Sequence, residues 1–212
     1  MTSRRRITLR TLDQLPPPKR LRELSIANAV LDAIIMPEWE LRYFSHNSRW
    51  DEGEEMASLR NGSGSHHYML FSTSGAFIKG FDVDSSLNTS PVGWATREVP
   101  TAMRSCLGEP AFEMGDLTYC TWWRDEREKW EHGMPREERL LDEPLGYLDL
   151  LLDDPAKYAN WASEYYEQAV PTASVRWVQA GKPLAEEIVA SLNPGVSIDD
   201  IREELDEIGY PL

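Results

Sequence analysis

Cysteine and histidine are scarce in this chain, which has two cysteines and four histidines among 212 residues. Cys106 and Cys120 lack a Cys-x-x-Cys spacing and no histidine pattern accompanies them, so the sequence indicates neither a disulfide framework nor a zinc site. His66 and His67 are adjacent, and adjacent strand residues point to opposite faces, which prevents them from ligating one ion readily. We therefore expect no metal and no cofactor.

Basic residues are also few, since 36 acidic residues against 22 basic ones give a formal net charge of -14 at pH 7. This excess of negative charge opposes binding to nucleic acid phosphates and to anionic lipid, but it is compatible with a basic protein partner. No apolar run is long enough to span a bilayer, and Arg4-Arg5-Arg6 is not followed by the apolar segment of an export signal. We expect a cytoplasmic protein that binds neither nucleic acid nor membrane.

Catalytic motifs are absent as well. The stretch Gly62-Ser63-Gly64 lacks the flanks of a nucleophile elbow, and no lysine follows it as in a phosphate-binding loop. Asp82-Val83-Asp84 begins like a calcium loop, yet Leu87 and Gly93 occupy the positions of the turn glycine and the final glutamate. No catalytic residue can be assigned from spacing, which favours a protein without enzymatic activity and leaves the question open.

The hydrophobic pattern that is present begins with a helix. Residues 1–18 are predicted to be a loosely ordered N-terminal arm, because the three prolines at 16–18 can continue neither a helix nor a strand ladder. Apolar residues then recur at spacings of three and four between Lys19 and Ile35, which predicts a helix with one buried face. Pro37 ends that helix.

A series of antiparallel strands is predicted next. Period-two alternation predicts a strand over residues 39–43 and residues 45–53 are predicted to be a polar loop. Strands are predicted at 56–60, 68–71 and 76–81, with a hairpin turn at Asn61-Gly62. Residues 112–123 are predicted to add a strand to the same sheet. The charge-rich segment 124–139 is predicted to be a solvated helix and loop.

Helical patterns dominate the last third of the chain. Residues 145–152 have helical spacing, Asp154-Pro155 provides an N-cap and a first-turn proline, and Pro183 is predicted to open a further helix. Ser197 with Asp200 resembles a capping box before the final helix. An aromatic stripe is formed by Tyr158, Trp161, Ala162, Tyr165 and Tyr166, which is typical of a core and would serve a homo-oligomer if exposed.

These patterns predict an α+β fold with a central antiparallel sheet, preceded by one helix and followed by a C-terminal group of helices. The sheet region is predicted over residues 19–140. The helical region is predicted over residues 141–212 and is expected to pack on the sheet as part of one compact unit.

A candidate binding site is predicted where the polar loop 45–53 would face the turn after the next strand. Loops held by a rigid sheet commonly carry binding groups. The alternative is that the tryptophan covers the sheet edge, a glutamate pairs with the arginine, and the rest is solvated. The candidate binding residues are Trp50, Asp51, Glu54, Arg60, Asn61 and His66.

Segments 43–50, 54–64, 75–81 and 109–112 together resemble an uncharacterised family of bacterial cytoplasmic proteins. That resemblance implies no activity. The stretch from Val99 to Leu107, leading into a predicted strand, is similar in a short and common pattern to SUKH-type proteins, many of which are bacterial immunity proteins. It carries no functional residue over.

Two functional hypotheses follow from the sequence. The first is a non-enzymatic protein-binding protein of the immunity or adaptor type, whose acidic surface engages a basic partner. The second is a small-molecule-binding enzyme or sensor with its site at the loop around Trp50. A deep pocket with buried carboxylates there would favour the second hypothesis, and a flat acidic face would favour the first.

Overall fold

The structure is a computed structural model that describes residues 6–89 and 93–211. One sheet and five α-helices make up its regular elements: α1 Pro18–Ile35, β1 Phe44–Asp51, β2 Glu54–Arg60, β3 His66–Ser72, β4 Gly75–Phe81, β5 Tyr119–Arg124, β6 Lys129–His132, α2 Pro155–Tyr165, α3 Thr172–Gln179, α4 Glu186–Leu192 and α5 Arg202–Ile208. The predicted α+β fold, with a helix before an antiparallel sheet and helices after it, is confirmed.

Short 3-10 helices connect these elements. They span Leu9–Gln14, Trp39–Leu41, Ser86–Thr89, Thr101–Gly108, Pro110–Phe112, Asp125–Arg127, Glu138–Asp142 and Leu148–Leu151. No helix among residues 6–89 and 93–211 is long and apolar enough to cross a membrane.

The six strands form one antiparallel meander in the order β1 to β6, so every strand pairs with its neighbours along the chain. The predicted hairpin at Asn61-Gly62 joins β2 to β3, and the register pairs Arg60 with His66 at that end. Strands β3 and β4 lie at the centre and are buried on both faces. Because side chains alternate across a strand, each central strand contributes to two separate cores.

The two faces of the sheet carry cores of different size. All five α-helices contribute to the larger core, which includes Ala57, Leu59, Met69 and Ile78 of the sheet. The smaller core lies on the opposite face, under the 3-10 helices Thr101–Gly108 and Pro110–Phe112, and it contains Tyr68, Leu70, Phe77, Cys120, Trp122, Met103, Cys106 and Phe112. The sheet therefore separates a thick helical layer from a thin cover of short turns.

The first strand begins later than predicted. Residues 39–41 form a 3-10 turn, and residues 44–51, most of the predicted polar loop, are strand β1. Both predictions were wrong because β1 is an edge strand, where polar side chains are solvated or paired and hydrophobicity does not mark the strand. Ser45 Oγ, for example, lies 2.7 Å from Ser58 Oγ on the neighbouring strand.

The predicted loosely ordered arm is packed wherever the structure describes it, and its residues 1–5 lie outside the described residues. Ile7, Leu9, Leu12 and Leu15 are all buried. The amide of Leu145 donates to the carbonyl of Ile7 over 2.9 Å. These apolar residues were overlooked because the three prolines that follow them suggested disorder.

The segment predicted as a solvated helix and loop contains strand β6. Trp130 of β6 is buried against Trp123, with ring centroids 5.6 Å apart, and its indole nitrogen donates to the carbonyl of Pro16 over 3.0 Å. The surrounding charges form ion pairs on the exposed side of the strand, such as Arg127 with Glu131 at 2.8 Å. One buried tryptophan therefore outweighs the polar composition that suggested a solvated segment.

The C-terminal predictions differ in how closely they match. Asp154 caps α2 by accepting from the amides of Ala156 and Lys157, as predicted. The helix expected at Pro183 begins three residues later, at Glu186. The side chain of Ser197 bonds to Asp200 over 2.7 Å, but α5 starts only at Arg202. The predicted helical segment 145–152 holds only a short 3-10 helix.

The carboxylate of Asp32 on α1 is the main polar junction of the larger core, and it is fully buried. It accepts hydrogen bonds from the amides of Tyr43 and Phe44 over 3.0 and 2.7 Å. It also accepts from the hydroxyl groups of Tyr158 and Tyr166. Burial raises the pKa of Asp32 to about 6, and the four donors oppose that rise. This one carboxylate joins α1, the start of β1 and α2.

Removing the Asp32 carboxylate should be strongly destabilising. We expect Asp32→Ala to lower the free energy of unfolding by about 3 to 5 kcal/mol, because two amides and two hydroxyls lose their acceptor in a dry core. Urea denaturation followed by circular dichroism measures this change. Asp13→Ala, at an exposed position, is the matched control and should change stability by less than about 0.5 kcal/mol. Equal effects of the two variants would contradict the role given to Asp32.

Stability should also depend on the titration of Asp32. The folded pKa of about 6 exceeds the ordinary value of 3.8, so the folded state binds this proton more tightly than the unfolded state. The resulting stabilisation is complete below about pH 4 and is lost as the pH rises through about 6. Relative to the non-titrating variant Asp32→Asn, wild type should lose on the order of 3 kcal/mol between those limits. A difference independent of pH would refute the shift.

Candidate functional site

The six predicted site residues fall at the two ends of strand β2. Trp50, Asp51 and Glu54 belong to the β1–β2 hairpin, whereas Arg60, Asn61 and His66 lie at the β2–β3 end. Seven residues of extended strand separate the two ends by about 20 Å. The six residues therefore do not form one site, because the predicted loop that would have brought them together is itself a strand.

The three residues at the hairpin end make local contacts, and one of them lines a very small cavity. Trp50 packs half-buried against the smaller core, and the Asp51 carboxylate accepts from the amide of Glu52 over 2.7 Å in an exposed turn. Glu54 lines a cavity of only about 10 Å³ beside Met103 and Cys106. A cavity of that volume holds one water molecule at most. We assign these three residues a structural role.

At the opposite end, Asn61 shapes the turn that leads into β3. Its side-chain oxygen accepts from the amides of Ser63 and Ser65 over 2.8 and 3.0 Å. This is the usual way in which an asparagine fixes a tight turn. The guanidinium of the preceding residue, Arg60, lies 4.3 Å from the ring centroid of Trp39. Asn61 thus positions the turn, and Arg60 covers the neighbouring segment.

Arg60 also lines a groove with a volume of about 540 Å³. The groove lies between the segment after α1, the β2–β3 turn and the C-terminal end of α2. Its lining residues are Met36, Glu40, Leu41, Arg42, Arg60, Gly62, Tyr165, Tyr166 and Glu167. Leu41 and Tyr165 are 57% and 40% exposed, so apolar surface is open to solvent there. The volume is within the range of ligand-binding clefts.

The charges of this groove are not equivalent. The guanidinium of Arg42 is buried, donates to the carbonyls of Met36 and Pro37 over 2.7 and 2.6 Å, and pairs with Glu204 at 2.7 Å. The charge of Arg42 is thus neutralised by Glu204, and Arg42 forms part of the groove wall. By contrast, Glu40 and Glu167 are exposed and form no ion pair with any residue that the structure describes. The lining therefore holds two carboxylates that form no ion pair with a described residue, and it also includes the Arg60 guanidinium.

His66 belongs to a different cluster, on the face of the sheet opposite α1. Lys79 of β4 is completely buried, and its Nζ lies 2.7 Å from Nε2 of His66. The rings of Tyr68 and Phe81 flank the amine at 5.5 and 5.9 Å. Within residues 6–89 and 93–211, no carboxylate lies within ion-pair distance of Lys79. Burial lowers the pKa of Lys79 to about 8.

Glu113 closes this cluster toward solvent. Its carboxylate accepts from the hydroxyl of Tyr68 over 3.2 Å and lies 3.4 Å from Nε2 of His66. The side chain is 56% exposed, and the residue occupies the left-handed backbone region at φ 48°. On the other side of the imidazole, Nδ1 lies 3.2 Å from the carbonyl of Gly64. That bond places the proton on Nδ1 and leaves Nε2 to accept from Lys79.

Lys79 was not among the predicted site residues, although one signal pointed to it. In β4 it alternates with Phe77 and Phe81, so a lysine stands in the row of apolar residues that faces the smaller core. Lysine is rarely fully buried without a charged partner. A lysine in phase with two phenylalanines is therefore unusual enough to mark a site, even before the structure is known.

A second polar cluster stabilises the other face of the sheet. Arg22 of α1 forms a bidentate pair with Glu55 over 2.6 and 2.7 Å, and His46 Nε2 lies 3.0 Å from the same carboxylate. These contacts lower the pKa of Glu55 to about 2, although burial opposes the change.

Among the described residues, no group of three or more histidine, cysteine, aspartate or glutamate side chains could hold a metal ion.

Comparison of this chain with protein-family models, with curated proteins and with solved structures finds no match. The resemblances noted from the sequence therefore stay predictions. A function for this chain has to be argued from its own residues.

Replacing Lys79 should not harm the fold. We expect Lys79→Met to raise the free energy of unfolding by about 1 kcal/mol, because a desolvated amine without a carboxylate partner is replaced by an apolar side chain of similar length. Thermal and urea denaturation measure the change. Lys182→Met, at an exposed lysine, should leave stability unchanged within about 0.5 kcal/mol. A loss of more than 1 kcal/mol in Lys79→Met would show that the lysine is structural.

Proposed function

We propose that this protein is a binding protein of the immunity or adaptor type, and that the groove beside Arg60 receives a segment of a basic protein partner. The observation that carries this proposal is the combination of about 540 Å³ of open volume with two lining carboxylates that form no ion pair with a described residue. Binding of this kind requires no catalytic residue.

Charge supports a basic partner. The chain carries a net charge of -14, so its field attracts cationic surfaces from solution. At the groove, Glu40 and Glu167 form no ion pair with a described residue, and a basic partner would give each of them one. Complementary charges of this kind accelerate association and select against acidic competitors.

The apolar surface of the groove supports recognition of a side chain from a protein rather than a loose ionic contact. Trp39 is 50% exposed beside the groove, and Leu41 and Tyr165 are exposed within its lining. Aromatic residues in a pocket are typical anchors of protein interfaces, and their rings also attract lysine and arginine side chains. A segment that combines a basic residue with an apolar one would satisfy both features.

The acidic outer face of α5 is a weaker candidate for the same partner. Asp206 pairs with Arg49 at 2.8 Å and Asp199 with Arg202 at 2.6 Å. Glu204 is bound to Arg42, so part of the charge on this face is already compensated within the molecule. A partner would have to displace these pairs, whereas the carboxylates at the groove are available without rearrangement.

The second hypothesis, a small-molecule site around Trp50, receives no support from the geometry. The cavity that Glu54 lines holds one water molecule at most. Of the residues assigned to that site, Arg60 lines the larger groove and His66 contacts Lys79. His66 is not among the lining residues of the groove, so small-molecule chemistry at His66 would be independent of binding there.

The groove can be tested with a displayed library of random dodecapeptides, selected on the immobilised full chain at low salt. We expect enriched peptides to contain lysine or arginine within a few residues of an aromatic residue or leucine. Glu40→Lys with Glu167→Lys should weaken binding of a synthesised enriched peptide about tenfold or more, as measured by calorimetry. Binding should also weaken at high salt, because exposed charges are screened.

The matched control is Glu52→Lys with Glu98→Lys, which changes the net charge equally at exposed positions outside the groove. This variant should weaken binding by less than about twofold. Equal weakening by both double variants would assign the effect to net charge alone and refute the groove. Enrichment of acidic peptides, or of none, would refute the basic partner.

A further inference from the structure

We propose that Lys79 is a reactive amine that forms an imine with a small uncharged aldehyde or ketone, in a site completed by His66, Tyr68, Phe81 and Glu113. The groove and its partner play no part in this inference.

The surroundings of Lys79 are those that make an amine nucleophilic. The side chain is completely buried, its one hydrogen bond is to an imidazole nitrogen, and two aromatic rings flank it. A buried lysine that serves stability is normally paired with a carboxylate. Here the nearby acid Glu113 accepts from the Tyr68 hydroxyl and forms no ion pair with the amine. Desolvation without a counter-charge favours the neutral amine that attacks carbonyl carbon.

Access to the amine lies on the side of Glu113. His66 and Tyr68 are each 8% exposed, so the cluster is one side chain below the surface. The Glu113 side chain is itself mostly in solvent, at the end of the three-residue turn Pro110–Phe112. We infer that a carbonyl compound would reach the amine when this one side chain turns away from His66 and Tyr68.

The chemistry balances without a cofactor or an oxidant. The Nζ lone pair attacks the carbonyl carbon, and the amine loses a proton to Nε2 of His66 as the carbinolamine forms. His66 returns that proton to the alkoxide oxygen, which completes the neutral carbinolamine. It then takes the second Nζ proton and passes it to the carbinolamine hydroxyl, which leaves as water as the carbon–nitrogen double bond forms. The products are one imine and one water for each carbonyl compound. Glu113 and the Tyr68 hydroxyl lie where they can stabilise the protonated imidazole.

The lining indicates which carbonyl compounds would bind. Two aromatic rings favour an apolar substituent, and the carboxylate of Glu113 at the opening repels anions such as keto acids. Asp116 adds negative charge near the same opening, since its charge acts on both His66 and Lys79. The site therefore favours small neutral aldehydes and ketones.

Reductive trapping tests this proposal directly. The folded full chain is incubated with acetaldehyde and cyanoborohydride at about pH 7.5, and ethylated lysines are quantified by peptide mass mapping. Lys182, whose ammonium group also lies over an aromatic ring, at 4.4 Å from Trp177, is the exposed internal control. We expect Lys79 to be ethylated at least about tenfold faster than Lys182, because a lower pKa leaves more neutral amine.

Two further variants distinguish a reactive Lys79 amine from a lysine that is only buried. His66→Gln should slow ethylation of Lys79 about tenfold or more while the circular dichroism spectrum stays unchanged, because the proton acceptor is lost. Glu40→Lys with Glu167→Lys should leave the rate unchanged, so failure of the groove and failure of this site are distinguishable. Ethylation of Lys79 no faster than that of Lys182, or only after unfolding in urea, would overturn the proposal and leave Lys79 a buried structural residue.

Discussion

The buried carboxylate of Asp32 is the interaction on which the rest of the structure depends. It accepts from two amides at the start of β1 and from two tyrosine hydroxyls, one in the first turn of α2 and one just after its last residue. One side chain therefore fixes where the edge strand leaves α1 and where the C-terminal helices dock. A dry carboxylate is tolerated only when its acceptors are filled, and four donors fill them here. The wall of the groove follows from this junction, since Tyr166 belongs to both.

Buried charged side chains have different kinds of partner on the two faces of the sheet. On the helical face, Arg22, Glu55 and His46 form a matched cluster with a bidentate ion pair. On the thin face, Lys79 is buried against an imidazole and forms no ion pair with a described carboxylate. The first arrangement is typical of structural polar contacts, and the second costs stability that packing elsewhere offsets. The burial of Lys79 without an ion-pair partner is the physical reason for assigning chemistry to the thin face. The unpaired carboxylates of the groove are the reason for assigning binding there.

Several elements could be predicted because their signals are local. The Asn61-Gly62 turn, the apolar spacing of α1 and the Asp154 cap each depend on a few neighbouring residues, and all three lie where the sequence predicted them. Strands β1 and β6 were missed because their burial comes from distant contacts. Trp130 is covered by Trp123 and bonded to Pro16, more than a hundred residues away along the chain.

The sequence by itself determined the acidic charge, the α+β class and the end of the sheet at which Arg60, Asn61 and His66 lie, because composition, period and turn chemistry are local properties. Only the tertiary structure decided that Trp50 and Asp51 lie at the other end, that Glu40 and Glu167 line the same groove, and that Lys79 contacts His66. These pairings depend on strand register and helix docking, in which many weak contacts between distant segments act together.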